Sequence, residues 1–262
     1  MKADVALCQF VPDVGGVESN ASRIVSCLES GDADMFIFPE LFLTGYGADC
    51  GELRDSVETA ISKISDKCRE TDCAAVVGSP RYTNMGILNS LAFLSPDGDV
   101  WYDKAHLAKF GVYAEDGFIE GHGPTIGYYH GMGFGMCVCY DIFFPEILHG
   151  CSLNGSSVNI CVAASAVQSK PFLDRVISAR ALENVTYLAY VNNVGPLNGL
   201  TMHGCSRALD PFGEEVCCCG TSESMAVFSV DTDEIDRMRG IRRHLSDFRK
   251  DIDWLGTMEQ SM

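Results

Sequence analysis

Positive charge is scarce in this chain. Its 262 residues include 19 lysines and arginines against 36 aspartates and glutamates, which gives a formal net charge of −17 at pH 7. Nucleic acids and anionic membrane surfaces repel such a protein. The sequence therefore predicts no nucleic-acid and no membrane partner, and the acidic surface mainly promotes solubility.

Long apolar runs are also missing. No segment has the length and purity of a membrane-spanning helix. The first residues lack the apolar region and the small-residue cleavage site of a secretory signal, and residues 3–10 are typical of a strand instead. We therefore expect a cytoplasmic protein.

Cysteine, by contrast, is abundant. The chain has 13 cysteines, an odd number, and they are scattered through apolar segments. This distribution favours free, buried thiols in a reducing compartment over a disulfide framework.

Apolar patterning indicates an α/β fold. Over the first 80 residues, buried strands alternate with amphipathic helices. Hairpins follow, and the same succession of β/α units and hairpins then repeats, which predicts two similar sheets packed together. Pro171 begins a further predicted helix, with one apolar face formed by Phe172, Val176, Ala179 and Leu182. We predict one domain over residues 1–231 and a charged tail over residues 232–262.

The stretch from Gly133 to Glu146 has the pattern of a strand that presents a thiol. Small and apolar residues lead to Cys139 in a tight turn, Asp141 can cap the amides before it, and Pro145 suits the first turn of a helix. A thiol at such a junction lies near a positive helix end, which favours a nucleophile over a core residue. Cys137 is the rival nucleophile.

Three polar residues directly follow buried strands: Glu40, Lys104 and Cys139. Each could be structural, since Glu40 could cap a helix, Lys104 could be a solvated charge and Cys139 could fill the core. Sites assemble at strand ends in α/β sheets, however. Together the three form a chemically coherent set for nucleophilic attack on a carbonyl or nitrile carbon.

Five segments of the chain, in order, resemble the nitrilase (carbon-nitrogen hydrolase) superfamily. They are Ile37–Glu40, Tyr102–Leu107, Cys139–Glu146, Ala179–Asn184 and Gly204–Gly213. The resemblance implies a four-layer α-β-β-α sandwich and a homodimer formed partly through the C-terminal tail. It also implies a cysteine hydrolase that needs neither a cofactor nor a metal.

The resemblance also implies roles for individual residues. Cys139 is expected to be the nucleophile, Glu40 the general base, and Lys104 the oxyanion donor together with a backbone N–H near Tyr140. A second glutamate is expected in the loop before the cysteine, where Glu115 is the candidate and Asp116 and Glu120 compete with it. The ammonium and the helix end are expected to lower the pKa of the thiol.

One position departs from the family pattern. Many members have an arginine where this chain has Phe143, and in some of them that arginine binds a substrate carboxylate. Substrates with a distal acid group are therefore disfavoured here. The short loop of residues 163–169 also departs, and its Ser165 and Gln168 could line the substrate pocket.

These observations predict a small-amide amidase that releases ammonia through a thioester. A nitrile hydrolase or a stand-alone glutaminase could use the same residues, so the expected partner is a small amide or nitrile. A remote alternative is a metal-binding or redox thiol protein. Cys137 and Cys139 with His203 and Cys205 are the candidate zinc ligands, but their spacing is not that of a zinc site.

Overall fold

A computed structural model describes residues 1–111 and 115–249 of the chain. The strands are β1 (Lys2–Gln9), β2 (Met35–Ile37), β3 (Ala74–Tyr82), β4 (Ile87–Leu94), β5 (Val100–Asp103), β6 (Ile126–Tyr129), β7 (Met132–Val138), β8 (Val158–Ala163), β9 (Tyr187–Asn192), β10 (Val194–Leu197), β11 (Leu200–His203), β12 (Arg207–Leu209), β13 (Glu215–Cys218) and β14 (Ser224–Asp231). The α-helices are α1 (Val17–Ser30), α2 (Arg54–Thr71), α3 (Pro145–Leu153), α4 (Lys170–Asn184) and α5 (Thr232–Ile241).

Two six-stranded sheets of the same design form the centre of the molecule. Their strand orders are β14-β1-β2-β3-β4-β5 and β13-β12-β9-β8-β7-β6. In each sheet three central strands run parallel, β1 to β3 and β7 to β9, and the flanking strands are antiparallel. The predicted repetition of β/α units and hairpins is therefore confirmed.

A shared apolar core joins the sheets face to face. Phe93 of β4 packs on Phe134 of β7, with ring centroids 5.7 Å apart. Helices α1 and α2 cover the outer face of the first sheet, while α3 and α4 cover that of the second. The predicted four-layer α-β-β-α sandwich is confirmed.

Helix α1 illustrates how the sequence pattern produces one of these outer layers. Val17, Ala21, Ile24 and Leu28 recur at helical spacing and are all buried against the sheet. Gly31 follows the helix with a φ of 71°, a left-handed conformation that glycine adopts at little cost. Apolar spacing and the C-terminal glycine together account for the length of the helix.

The predicted apolar face of α4 is wrong for three of its four residues, and only Val176 packs against the core. Phe172 is 66% exposed and Leu182 is 45% exposed, whereas Leu173, Ile177 and Ala181 are buried. The apolar residues of this helix occupy more than one side, so their spacing does not select a face. Arg180 helps to determine which face of α4 is buried, because its guanidinium donates hydrogen bonds to the backbone carbonyl oxygens of residues 142 and 143.

The sequence did not predict the β10–β11 hairpin or helix α5. Both hairpin strands are only four residues long. Helix α5 is largely charged, and it is stabilised by burial of Ile235 and Met238. Residues 250–262, the last part of the predicted interface tail, lie outside the described residues. In the described ranges, no helix combines the length and the apolar character needed to cross a membrane.

Gly78 of β3 permits a close approach between the strand and the turn that carries Glu40. A Cβ atom at position 78 would lie 2.1 Å from the Pro39 carbonyl oxygen and 2.5 Å from the Leu41 nitrogen. We therefore expect Gly78→Ala to lower the free energy of unfolding by about 2–3 kcal/mol, as for overpacked cores. Urea denaturation measures this change.

Gly240→Ala in α5 is the matched control for that substitution. Nothing lies within 4 Å of a Cβ atom at position 240. Because alanine favours helices over glycine, we expect this variant to gain about 0.5–1 kcal/mol. Equal stability of the two variants would contradict the steric argument.

Candidate active site

The ends of three strands bring the predicted polar residues together. Glu40 lies in the turn after β2, Lys104 directly follows β5, and Cys139 directly follows β7. Glu115 reaches the same place from the long loop after β5. The charges of Glu40, Lys104 and Glu115 all act on the Cys139 thiol. The structure therefore assembles all four predicted residues in one site.

Lys104 lies between the two glutamates. Its Nζ is 2.8 Å from Glu40 Oε1 and 2.7 Å from Glu115 Oε1. All three side chains are at most 2% exposed. The second oxygen of each glutamate accepts a backbone N–H, from Ala164 to Glu40 and from Ala108 to Glu115, both at 2.7 Å. Each carboxylate is thus held at both of its oxygens.

Burial and charge act in opposite directions on this cluster. Burial by itself lowers the pKa of Lys104, but the neighbouring Glu40 and Glu115 carboxylates outweigh it and hold that pKa well above its usual range. For Glu115 burial dominates, and it raises the pKa of the carboxyl despite the neighbouring ammonium. Lys104 is therefore a permanent cation at neutral pH.

The turn after β7 holds Cys139 in a constrained conformation. Cys139 has a φ of 49°, in the left-handed region that non-glycine residues rarely adopt. A short 3₁₀ turn over Cys139–Phe143 follows, and α3 begins at Pro145. Such constrained residues cluster at functional sites. The predicted strand, turn and helix around the thiol are confirmed.

Asp141 links this turn to the segment that carries Lys104. Its carboxylate accepts hydrogen bonds from the Val138 N–H, as the capping prediction requires, and also from the Tyr102 hydroxyl at 2.7 Å. The other oxygen accepts the His106 N–H at 2.8 Å, and the His106 ring stacks on Phe144. The buried carboxylate thus fixes the relative positions of the lysine and cysteine segments.

The expected lowering of the Cys139 pKa is wrong. Burial is the largest effect, and with the negative charge of Glu40 it raises the pKa of the thiol well above its usual value. Lys104 and the Ser165 hydroxyl lower it, but by less. The resting residue is therefore a thiol, and attack by its sulfur requires a base.

A small cavity of about 30 Å³ opens beside Cys139. Its described lining includes two of the predicted pocket residues, Tyr140 and Phe143, and a third, Ser165, whose Oγ lies 3.5 Å from the Cys139 sulfur. Phe143 is 37% exposed. The remaining lining residues are Ala108, Phe110, Ser169 and Leu173.

The competitors of the predicted residues lie elsewhere. Asp116 and Glu120 are exposed, so Glu115 is the loop carboxylate that meets Lys104. Gln168 is exposed as well. Cys137 is fully buried in β7, in register with Cys161 of β8. Residues 112–114, which directly precede Glu115 in this loop, lie outside the described residues.

Two buried asparagines that sequence reasoning missed also contact the site. The Asn89 amide donates to both glutamates, at 2.8 Å to Glu40 Oε1 and 3.2 Å to Glu115 Oε1. The Asn193 amide donates to the Glu40 carbonyl oxygen at 3.0 Å. The available signal was a polar residue inside an apolar strand or at its end, because a buried amide needs a partner.

Known proteins share this fold and this sequence pattern. An (R)-stereoselective amidase from Pseudomonas is 29% identical over 252 residues, which cover 94% of this chain and 91% of the amidase. An amidase structure from Nesterenkonia superposes with a TM-score of 0.77 at 25% identity, covering 92% of this chain and 94% of that one.

The carbon-nitrogen hydrolase unit also occurs within longer chains. A glutamine-dependent NAD⁺ synthetase structure from Acinetobacter baumannii matches with a TM-score of 0.79 at 26% identity, over 90% of this chain but only 47% of the synthetase. The family profile described as carbon-nitrogen hydrolase matches residues 4–240 of this chain. The chain therefore belongs to the carbon-nitrogen hydrolase family of the nitrilase superfamily and is an enzyme of that class.

Proposed function

We propose that this enzyme hydrolyses small, uncharged carboxamides to the acid and ammonia through a thioester on Cys139. The observation that carries the proposal is the Lys104 ammonium, held between two buried glutamates beside a thiol. Two of its three N–H groups donate to Glu40 and Glu115, and among the described residues the third has no acceptor, so it can donate to a substrate oxygen. Similarity to amidases supports the choice of amides.

Glu40 is suited to act as the base. Its Oε1 already accepts hydrogen bonds from Lys104 and Asn89, while Oε2 accepts one from the Ala164 N–H. A carboxylate oxygen can accept two hydrogen bonds, so within the described residues Oε2 retains one lone pair. That lone pair can take the proton of the Cys139 thiol, whose raised pKa makes such a base necessary.

In the acylation step, Glu40 carries one proton from the thiol to the leaving nitrogen. Glu40 takes the thiol proton as the Cys139 sulfur bonds to the amide carbon, and the carbonyl oxygen becomes an oxyanion that Lys104 stabilises. When the tetrahedral intermediate collapses, the C–N bond breaks and Glu40 returns the proton to the leaving nitrogen. The products of this half-reaction are ammonia and a thioester.

Deacylation uses the same groups with water as the nucleophile. Glu40 takes a proton from the water as its oxygen bonds to the thioester carbon, and Lys104 again meets the oxyanion. Collapse breaks the C–S bond, and the proton held by Glu40 passes to the sulfur. The carboxylic acid leaves and the Cys139 thiol is restored.

The cavity supports an uncharged acyl group. Apart from Cys139 itself, its described lining has no ionisable acidic or basic side chain except the Tyr140 phenol. Phe110 and Phe143 pack on either side of Tyr140, with ring centroids 4.9 and 6.0 Å away. A substrate carboxylate would lose hydration here without gaining a cation, which is costly.

We expect kcat/KM for propionamide to exceed that for glutarate monoamide and for glutamine by at least about tenfold, which corresponds to about 1.4 kcal/mol of lost transition-state stabilisation. An ammonia-release screen at fixed enzyme concentration measures these ratios. The screen includes the matching nitriles and a carbamoyl amine.

The screen also decides between the candidate activities. Higher kcat/KM for glutamine would contradict the proposed acyl preference and favour a glutaminase. Higher kcat/KM for propionitrile than for propionamide would favour a nitrile hydrolase that uses the same residues.

We also propose that the enzyme is a homodimer. Helix α4 presents Phe172 and Leu182 to solvent, and these are large apolar side chains on one element. A second copy of the chain would remove them from water, which is favourable. Size-exclusion chromatography with light scattering tests this proposal, and a monomer mass at micromolar concentration would refute it.

A further inference from the structure

Asn89 occupies an unusual position in the charged cluster. It lies on β4, is 1% exposed, and donates hydrogen bonds from one amide nitrogen to Glu40 Oε1 and Glu115 Oε1. Lys104 Nζ donates to the same two oxygens. The backbone N–H of Lys104 also donates to the backbone carbonyl oxygen of Asn89, at 2.8 Å. An ammonium and a neutral amide therefore hold the same pair of carboxylate oxygens together.

The cluster has one more negative group than positive groups. Two buried carboxylates face a single ammonium, and like charges at such short range favour protonation of one carboxylate. A neutral N–H donor stabilises the charged forms without adding charge. Asn89 supplies this donor to both carboxylates at once.

The other end of the Asn89 side chain supports the same interpretation. Its buried Oδ1 lacks a hydrogen-bond partner among the described residues. An unsatisfied buried acceptor costs free energy. The orientation of the amide is therefore set by the two carboxylates that its nitrogen serves.

We propose that Asn89 is a positioning residue that holds Glu40 and Glu115 at the spacing of the active cluster and stabilises their charged forms by hydrogen bonding. The consequence for catalysis rests on the proposed function, because it is there that Glu40 acts as a base. Besides Lys104, the titratable groups that face this pair within residues 1–111 and 115–249 are the Cys139 thiol and the Tyr46 phenol. Of these groups only Lys104 is a cation.

Alkylation of Cys139 tests the proposal without a substrate. Iodoacetamide is reacted with the folded protein across a pH series, and the rate at Cys139 is measured by peptide mass mapping. In Asn89→Ala both carboxylates lose a neutral donor that stabilises their charged forms. We therefore expect the acid-side inflection of the alkylation rate to move up by about one pH unit.

Asn159→Ala is the matched control. Asn159 is equally buried, and its amide donates to Ser152 and Thr186 in a separate network on β8. This variant removes a buried amide without touching the carboxylates, so its inflection should coincide with that of the wild type. An Asn89→Ala profile that coincides with the Asn159→Ala profile would overturn the proposal.

Asn89→Asp is a second variant for the same test, to be used if Asn89→Ala does not fold. It preserves the side-chain shape but replaces the donor with a third carboxylate, so the inflection should move up further. An unshifted profile in this variant would also overturn the proposal. If the shift occurs but no amide is hydrolysed, the proposed function fails while the role of Asn89 in the cluster stands.

Discussion

Cys139→Ala is expected to reduce kcat for amide hydrolysis by at least about 10⁴-fold, in line with the loss of nucleophiles in other acyl-transfer enzymes. Alanine has no atom that can form the thioester, and the remaining Lys104 ammonium can only bind and polarise the carbonyl group. Ammonia release under saturating amide measures the loss. The residual rate should be unaffected by iodoacetamide, because its target sulfur is gone.

Cys137→Ala is the control for this substitution. Cys137 lies two residues earlier in β7 and is fully buried in the core. Its removal should lower stability by about 1–2 kcal/mol through a small cavity but leave kcat within about threefold. Loss of activity in Cys137→Ala with retention in Cys139→Ala would reverse the assignment of the nucleophile. In the wild type, limiting iodoacetamide should label Cys139 before Cys137.

Lys104→Met is expected to have the second largest effect, on both activity and stability. Loss of the oxyanion donor should lower kcat by about 10²–10³-fold. Removing one partner of a buried ion pair leaves an uncompensated charge, so the free energy of unfolding at neutral pH should fall by about 3–5 kcal/mol. Ammonia release and urea denaturation measure the two effects.

The stability loss in Lys104→Met should depend on pH with a defined sign. Burial already raises the pKa of Glu115 in the wild type, and loss of the ammonium removes a charge that lowers it. In the variant the folded state therefore binds protons more tightly than the unfolded chain does. The unfolding free energy should fall as pH rises through the raised folded-state pKa and recover toward acid pH.

Lys67 offers a matched control on the surface. It also contacts two glutamates, Glu29 at 3.0 Å and Glu70 at 2.7 Å, but both carboxylates are more than half exposed. Solvent screens these charges, so Lys67→Met should leave both the free energy of unfolding and the activity almost unchanged. If Lys104→Met lowers the free energy of unfolding no more than Lys67→Met does, the cluster is not a buried ionic site. A loss in Lys104→Met that does not vary with pH would show the same.

Much of the fold follows from local patterns in the sequence. The alternation of buried strands with amphipathic helices, such as the spacing of Val17, Ile24 and Leu28, is a property of consecutive residues. The strand, turn and helix around Cys139 follow in the same way. Turn chemistry and apolar spacing act over a few residues, so the sequence by itself specifies these elements.

The main site residues were also accessible from sequence, although their partners were not. Glu40, Lys104 and Cys139 each follow a strand, and strand ends are where α/β sites assemble. Asn89 could not be found in this way. A polar residue within a buried strand signals a partner but not which one, because its partners lie 49 and 26 residues away in the chain.

Only the tertiary structure decided the protonation of the nucleophile and the orientation of α4. The pKa of Cys139 depends on how much of the thiol is removed from water and on how close Glu40 lies, and neither is a local property. Helix α4 has apolar residues on several sides, and its buried face depends on contacts such as that of Arg180 with the cysteine turn. Burial and long-range charge arise only when distant segments pack together, which is why local sequence patterns do not determine them.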